Sequence, residues 1–268
     1  MFGRILLFRN LVDNIPKNIG LYSVGLLFLI INQYTFDVSS MVLGLLAFLI
    51  SYSSVYILND IWDAADDRLD EYRIERKPLA RGEVKTGEAT VIAAVLLATG
   101  LILSAALGVI FFAFAFAMVG INALYSSPSI GEIRLKHSPV GIPLVFIMQF
   151  LKILLPWTLS TEIYNFPIFF GLGSSSFYTV FFKGYKRNKT IAECFKHSPG
   201  LSLLTVVVFS LSLCIHPQPV LQAFILIYLL IGVGIFWRSR FTDKKVIVLG
   251  SVYILLGVLI LFYLMSIM

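Results

Sequence analysis

The chain is 268 residues long, 58% hydrophobic and only 13% charged, with a formal net charge of +6. Its apolar residues come in long blocks rather than at an amphipathic spacing, which excludes an ordinary soluble domain and indicates membrane spans of about 20 residues each. The basic excess follows the layout of those blocks, so nucleic-acid binding is a poor explanation for it.

In chain order, residues 1–16 place Phe2, Ile5, Leu6, Phe8, Leu11, Val12 and Ile15 among Arg4, Arg9 and Asp13, the pattern of an amphipathic helix on the inner membrane surface. The first apolar block is preceded by charged and polar residues and has no small-residue cleavage site, so a removable signal peptide is not expected. Nine apolar blocks follow, at about 18–35, 41–58, 88–106, 108–125, 139–159, 165–182, 200–215, 218–237 and 246–267. Blocks three and four are separated only by a charge-free turn at Gly108.

Charge tests the count. With the amino terminus inside, all of the 21 Lys and Arg except Lys152 fall in the amino-terminal segment or in the connections after blocks two, four, six and eight. The opposite connections, near 36–40, 107, 160–164 and 216–217, hold none. This asymmetry predicts an all-α polytopic membrane protein of nine spans, N-in and C-out, forming one domain over 1–268. The longest polar stretches, 59–87 and 183–199, follow spans two and six. That placement suggests a pseudo-repeat of spans 1–4 and 5–8. Cys194 and Cys214 lie on opposite expected faces, away from any ligand-like spacing, and read as ordinary thiols.

Seven of the fifteen acids lie between Asp60 and Glu75, at the end of span two. Asn59, Asp63 and Asp67 stand at i, i+4 and i+8. A continuing helix would put this amide and these carboxylates on one drifting face, an oxygen donor set suited to Mg²⁺. Asp60, Asp66 and Asp70 flank that face. Arg73, Arg76 and Lys77 follow closely and suit phosphate oxygens. The bland alternative is a solvated acidic helix end, but so many acids at a membrane boundary are costly without a cation.

The run Asn59-Asp60-x-x-Asp63-x-x-x-Asp67, with Arg-Lys-Pro-Leu-Ala-x-Gly at 76–82, resembles the first aspartate-rich motif of the UbiA superfamily of intramembrane prenyltransferases. The resemblance extends to the nine-helix layout and implies a central cavity opening toward the cytoplasm and laterally to lipid. It implies that Mg²⁺ there holds the diphosphate of an isoprenyl diphosphate donor, whose prenyl group passes to a lipid or small-molecule acceptor. On that likeness Asn59, Asp63 and Asp67 carry the metal with Asp60 in support, and Arg73, Arg76 and Lys77 hold diphosphate oxygens. Pro78 and Gly82 shape the loop. Tyr125, followed at a stretched spacing by Arg134 and Lys136, matches the family's Tyr and Lys after span four; these three are phosphate-binding candidates or simply inside-positive flanking with an interfacial Tyr.

One departure stands out. The family carries a second aspartate motif after its sixth helix, yet this chain has no Asp between Asp70 and Asp243. The expected place reads Ser174-Ser-Ser-Phe-Tyr178, running on to the basic residues Lys183, Lys186 and Arg187. That exchange gives some resemblance to the decaprenyl-phosphate phosphoribosyltransferase branch, which implies phosphoribosyl diphosphate as donor and a polyprenyl phosphate as acceptor, with Lys183, Lys186 and Arg187 on phosphate. Positive-inside flanking explains the same cluster without a ligand. Lys152, inside span five, either faces the cavity and binds phosphate or snorkels to the outer interface near Trp157. Spans otherwise nearly free of charge argue against a transporter, and the intact acidic motif argues against a lapsed, merely lipid-binding member.

Overall fold

The computed structural model describes residues 9–70, 74, 77–128, 135–186, 190–197, 199–215 and 219–239, with isolated positions between 249 and 263. They are helical apart from turns: α1 (Arg9–Ile31), α2 (Val38–Asp67), α3 (Thr86–Leu107), α4 (Val109–Ser126), α5 (Gly141–Leu154), α6 (Ile168–Lys186), α7 (Ile191–His197), α8 (Pro199–Ile215) and α9 (Pro219–Ile235). Single 3-10 turns occupy Leu135–His137 and Ile163–Asn165, and another, Leu155–Leu159, prolongs α5. Four of these segments are long and apolar enough to cross a membrane: α2, α3, α4 and Gly141–Leu159. The chain is therefore an integral membrane protein of all-helical architecture. The helices accompany eight of the nine apolar blocks; the ninth lies almost wholly outside the described residues. Residues 9–16, expected in a separate surface helix, are continuous with the first apolar block in α1.

The chain divides into two compact units, Met1–Leu27 with Thr35–Tyr164, and Phe28–Tyr34 with Asn165–Met268. In the first, α2 is the organising element. Asp37 caps its start, accepting from the backbone N–H of Ser39 and Ser40 and from both serine hydroxyls, which satisfies amides that have no intrahelical partner. One side of α2 packs along α3, and Tyr22, Ala47, Phe48, Tyr52, Phe111, Ala115, Met118 and Leu155 close a core among α1, α2, α4 and the end of α5. A second core of Ile57, Leu79, Val84, Ala89, Ile92 and Ala93 pins the loop after α2 back onto α2 and α3. Outward faces carry exposed Val42, Leu46, Val91, Ile102, Phe116 and Leu124, an apolar surface suited to lipid.

With 30 residues, α2 is about 45 Å long at ~1.5 Å per residue, against a hydrocarbon core of about 30 Å. The helix therefore outruns the span by roughly ten residues, and Asn59–Asp67 occupy that surplus. In the second unit α6 packs against α8 and α7, and Phe195 stacks on Trp237. Ser174, Ser175, Ser176 and Thr179 are all buried in α6, where Ser175, Ser176 and Thr179 donate to carbonyls four residues back, those of Gly171, Leu172 and Ser175.

Candidate active site

At ~100° per residue, Tyr52, Tyr56, Asp60, Asp63 and Asp67 fall within an arc of about 80° on α2, with Asn59 just outside it. The burial follows: Asp60, Asp63 and Asp67 are buried at 2%, 7% and 1% exposure, Asn59 is half-buried and Asp66 is exposed. Asp60, expected to flank the acidic face, thus sits within it, and Asn59 marks its edge.

Two lysines from distant segments meet these acids. Lys77 Nζ lies 2.6 Å from Asp60 Oδ1 and 3.1 Å from Asp67 Oδ2, and Lys136 Nζ donates to Asp63 Oδ1 at 2.5 Å. The loop geometry that delivers Lys77 is local. The Pro78 carbonyl accepts from the N–H groups of Glu83 and Val84, that of Lys77 from Arg81, and that of Leu79 from Gly82. Gly82 has φ +76°, a left-handed conformation that side chains with a Cβ resist. Burial alone would lower the pKa of Lys77, but Asp60 and then Asp67 outweigh it and hold the ammonium above its ordinary value. Lys136 rides on the 3-10 turn Leu135–His137, which packs with Gly141 and the ring of Tyr125. Tyr125 is buried within electrostatic reach of Asp63.

Arg73, Arg76, Arg134 and Arg187 lie outside the described residues, as do the side chains of Lys183 and Lys186 on α6. Lys152 is resolved in favour of the interior. It is 2% exposed, its Nζ donates to Asn18 Oδ1 at 3.1 Å and sits 4.1 Å from the centre of the Tyr52 ring. Trp157 is fully buried as well and donates to the Gly25 carbonyl, so it is no interfacial anchor.

Around Lys152 runs a set of polar groups that spacing alone did not single out. Asn18 donates to Tyr56 Oη at 3.0 Å, Asn122 donates to Tyr52 Oη at 2.5 Å, and Ser126 donates to Asn122 Oδ1 at 3.2 Å. A signal was present: Tyr52, Tyr56 and Asp60 repeat every four residues, and Asn122 precedes Ser126 by four. Only the packing of α1, α2, α4 and α5 joins the two.

Carboxylates, an amide oxygen and nearby ammonium groups form a donor set that fits a hard divalent cation bound jointly with phosphate oxygens, the usual way Mg²⁺ is held. Among the described residues no three His, Cys, Asp or Glu side chains converge closely enough to enclose a metal by themselves. The lysines instead contact one oxygen of each carboxylate, Asp60 Oδ1, Asp67 Oδ2 and Asp63 Oδ1, and a cation bound here would compete with them for those oxygens.

The match to known proteins agrees with this arrangement. Residues 21–246 match the model of the UbiA prenyltransferase family. The chain belongs to that family. Among solved structures, a UbiA homolog from Archaeoglobus fulgidus bound to GPP and Mg²⁺ superposes with a TM-score of 0.66 at 19% identity, covering 96% of this chain and 97% of that one. The same homolog bound to Cd²⁺ gives 0.65 at 21% identity over 96% and 97%. A digeranylgeranylglyceryl phosphate synthase gives 0.60 at 19% identity over 88% and 84%. At these identities the likeness establishes a shared fold. Comparison with curated proteins gives no match.

Proposed function

We propose that this UbiA family member is a Mg²⁺-dependent transferase that cleaves an isoprenyl diphosphate and passes the prenyl group to an acceptor. The observation that carries the reading is the buried acidic face of Asp60, Asp63 and Asp67 at the end of a membrane span, met by Lys77 and Lys136. Asp63 and Asp67, with the Asn59 amide, would hold the metal, and Asp60 would orient Lys77. Bound there, Mg²⁺ supplies positive charge to the diphosphate as it becomes the leaving group. The lysines have a matching part. Once the carboxylates turn to the metal, Lys77 and Lys136 would bind phosphate oxygens, and Arg73, Arg76 and Arg134, which neighbour them in sequence, are candidates for the same part. Tyr125 is placed to donate a hydrogen bond to the same group. The Lys and Arg asymmetry supports nine spans, N-in and C-out, in the cell membrane with this site toward the cytoplasm.

A second reading, phosphoribosyl transfer from phosphoribosyl diphosphate to a polyprenyl phosphate, draws on one observation. Where a second acidic motif belongs, α6 buries serines and a threonine, and the sequence runs on to Lys183 and Lys186. The two readings separate in one assay, Mg²⁺-dependent pyrophosphate release in lipid nanodiscs with geranylgeranyl diphosphate or phosphoribosyl diphosphate, each with and without an acceptor. Turnover of the isoprenyl donor is expected; turnover of phosphoribosyl diphosphate alone would replace the first reading with the second.

A further inference from the structure

We infer that Lys152 and Gln149 form a binding site for the hydroxyl group of the acceptor, set deeper in the membrane than the acidic face; this rests on the reading of the chain as a group transferase. Both residues lie on α5, three positions apart and so on one side of the helix. Both are 2% exposed inside a membrane-spanning segment. Gln149 Oε1 is buried with no hydrogen-bond partner, although a buried carbonyl oxygen ordinarily has one. Lys152, one turn away, is held in place by the Asn18 amide oxygen and the Tyr52 ring, and an ammonium has three protons to donate.

An unsatisfied acceptor beside a cationic donor is the complement of a hydroxyl, which accepts from Lys152 and donates its proton to Gln149 Oε1. A carboxylate or a phosphate diester can accept from Lys152 but has no proton to donate to Gln149 Oε1. The location suits this part. Lys152 lies against Tyr52 and, through Asn18, Tyr56, and these precede Asp60 on the same face of α2 by two turns and one, roughly 12 and 6 Å along the axis. Asn122, Ser126 and Tyr125 on α4 lead the same way, from Tyr52 to Asp63. A polar head bound at Lys152 thus lies along the path from the acidic face into the membrane, where the donor's allylic carbon would have to meet it.

The hydroxyl can belong to a small phenol or alcohol arriving from water or to a lipid alcohol. The test measures binding to the full chain in nanodiscs, with and without Mg²⁺ and the thio analogue of geranyl diphosphate. Its probes are 4-ethylphenol against 4-ethylanisole, and 1-oleoylglycerol against its dimethyl ether. At least one free hydroxyl compound is expected to bind ten-fold or more tightly than its ether, and whichever pair shows this names the source. Lys152→Met and Gln149→Leu should each abolish that preference while leaving binding of the donor analogue unchanged. Gln149→Leu has a second signature, since removing an unpartnered buried amide should raise Tm even as hydroxyl binding falls, and a purely structural role would lower it. Equal binding of hydroxyl compounds and ethers by the unmodified chain, or an undiminished preference in Gln149→Leu, would overturn the assignment. Failure of the donor analogue to bind while the hydroxyl preference persists would instead sink the proposed transferase activity.

Discussion

Two helices of this protein bury polar side chains, and they do so in opposite ways. On α6 the hydroxyls of Ser175, Ser176 and Thr179 close on carbonyls of their own helix, four residues back. On α2 the carboxylates of Asp60 and Asp63 are met by lysines 17 and 73 residues away in sequence. The first solution is local and uses the one proton of each of these hydroxyls. The second depends on partners that can let go. Under the proposed function, the chemistry falls on the helix whose polar groups are met by side chains from distant segments.

The strongest way to break this contrast is to remove the carboxylates. Asp63→Ala or Asp67→Ala should lower turnover by about 10²–10³-fold or more, the scale on which loss of a transition-state electrostatic contact is measured. Each variant should still give a monodisperse, helical protein by size exclusion and circular dichroism; full activity in either would remove the metal assignment. Next in size is Lys77→Met. It removes the Lys77 ammonium from Asp60 and Asp67, and breaking a buried pair costs about 3–5 kcal/mol, less here because Lys77 keeps 14% of its side-chain surface exposed. The diagnostic is rescue: millimolar Mg²⁺ should restore more Tm to Lys77→Met than it adds to the unmodified chain, since the metal binds only the folded state.

The contrast sharpens at α6. Ser175→Ala should change stability by less than about 1 kcal/mol and activity hardly at all, because a back-bonded serine hydroxyl adds little to a helix. Ser175→Asp places a carboxylate at a fully buried position and should unfold the protein well below the unmodified Tm. The smallest effect is on pH dependence. Because the folded-state pKa of Lys77 is raised, its contribution to stability is complete below the ordinary lysine value of about 10.4 and fades only as pH rises through the higher folded value. Tm in the metal-free state should therefore stay level on this account from neutral pH to about pH 10, and a loss between pH 7 and 9 that Lys77→Met abolishes would show the sign to be wrong.

Much of this site was readable from residue order because it follows the helical repeat. Asp63 and Asp67 share a face by spacing alone, although Asp60, expected to flank it, lies within it and Asn59 at its edge, and Pro78 and Gly82 announce the turn that brings the loop back. What spacing could not supply was the partner of each acid. Lys77 was expected on substrate and is found bridging Asp60 and Asp67; Lys136 reaches Asp63 across a stretch whose length obscures the connection. Lys152 is the clearest case. In a single helix it reads equally well as a cavity residue or a snorkelling one, and only the convergence of Asn18 and Tyr52 from two other helices shows it turned inward. Family membership was legible in the motif, whereas the start of α1, continuous from Arg9 through the first apolar block, was hidden by the polar residues that flank Pro16.

The length of α2 has a consequence for the bilayer as well as for the protein. A helix is nearly incompressible along its axis, so the height of its acidic end above the hydrocarbon is set by its rise per residue and by the thickness of the surrounding lipid. Thicker membranes would draw Asn59 and Asp60 toward the acyl chains, where an ionised group is costly, and thinner ones would lift the whole acidic face into the headgroups. The height of the acidic face is in this sense gauged against the membrane, with α2 as the measuring rod.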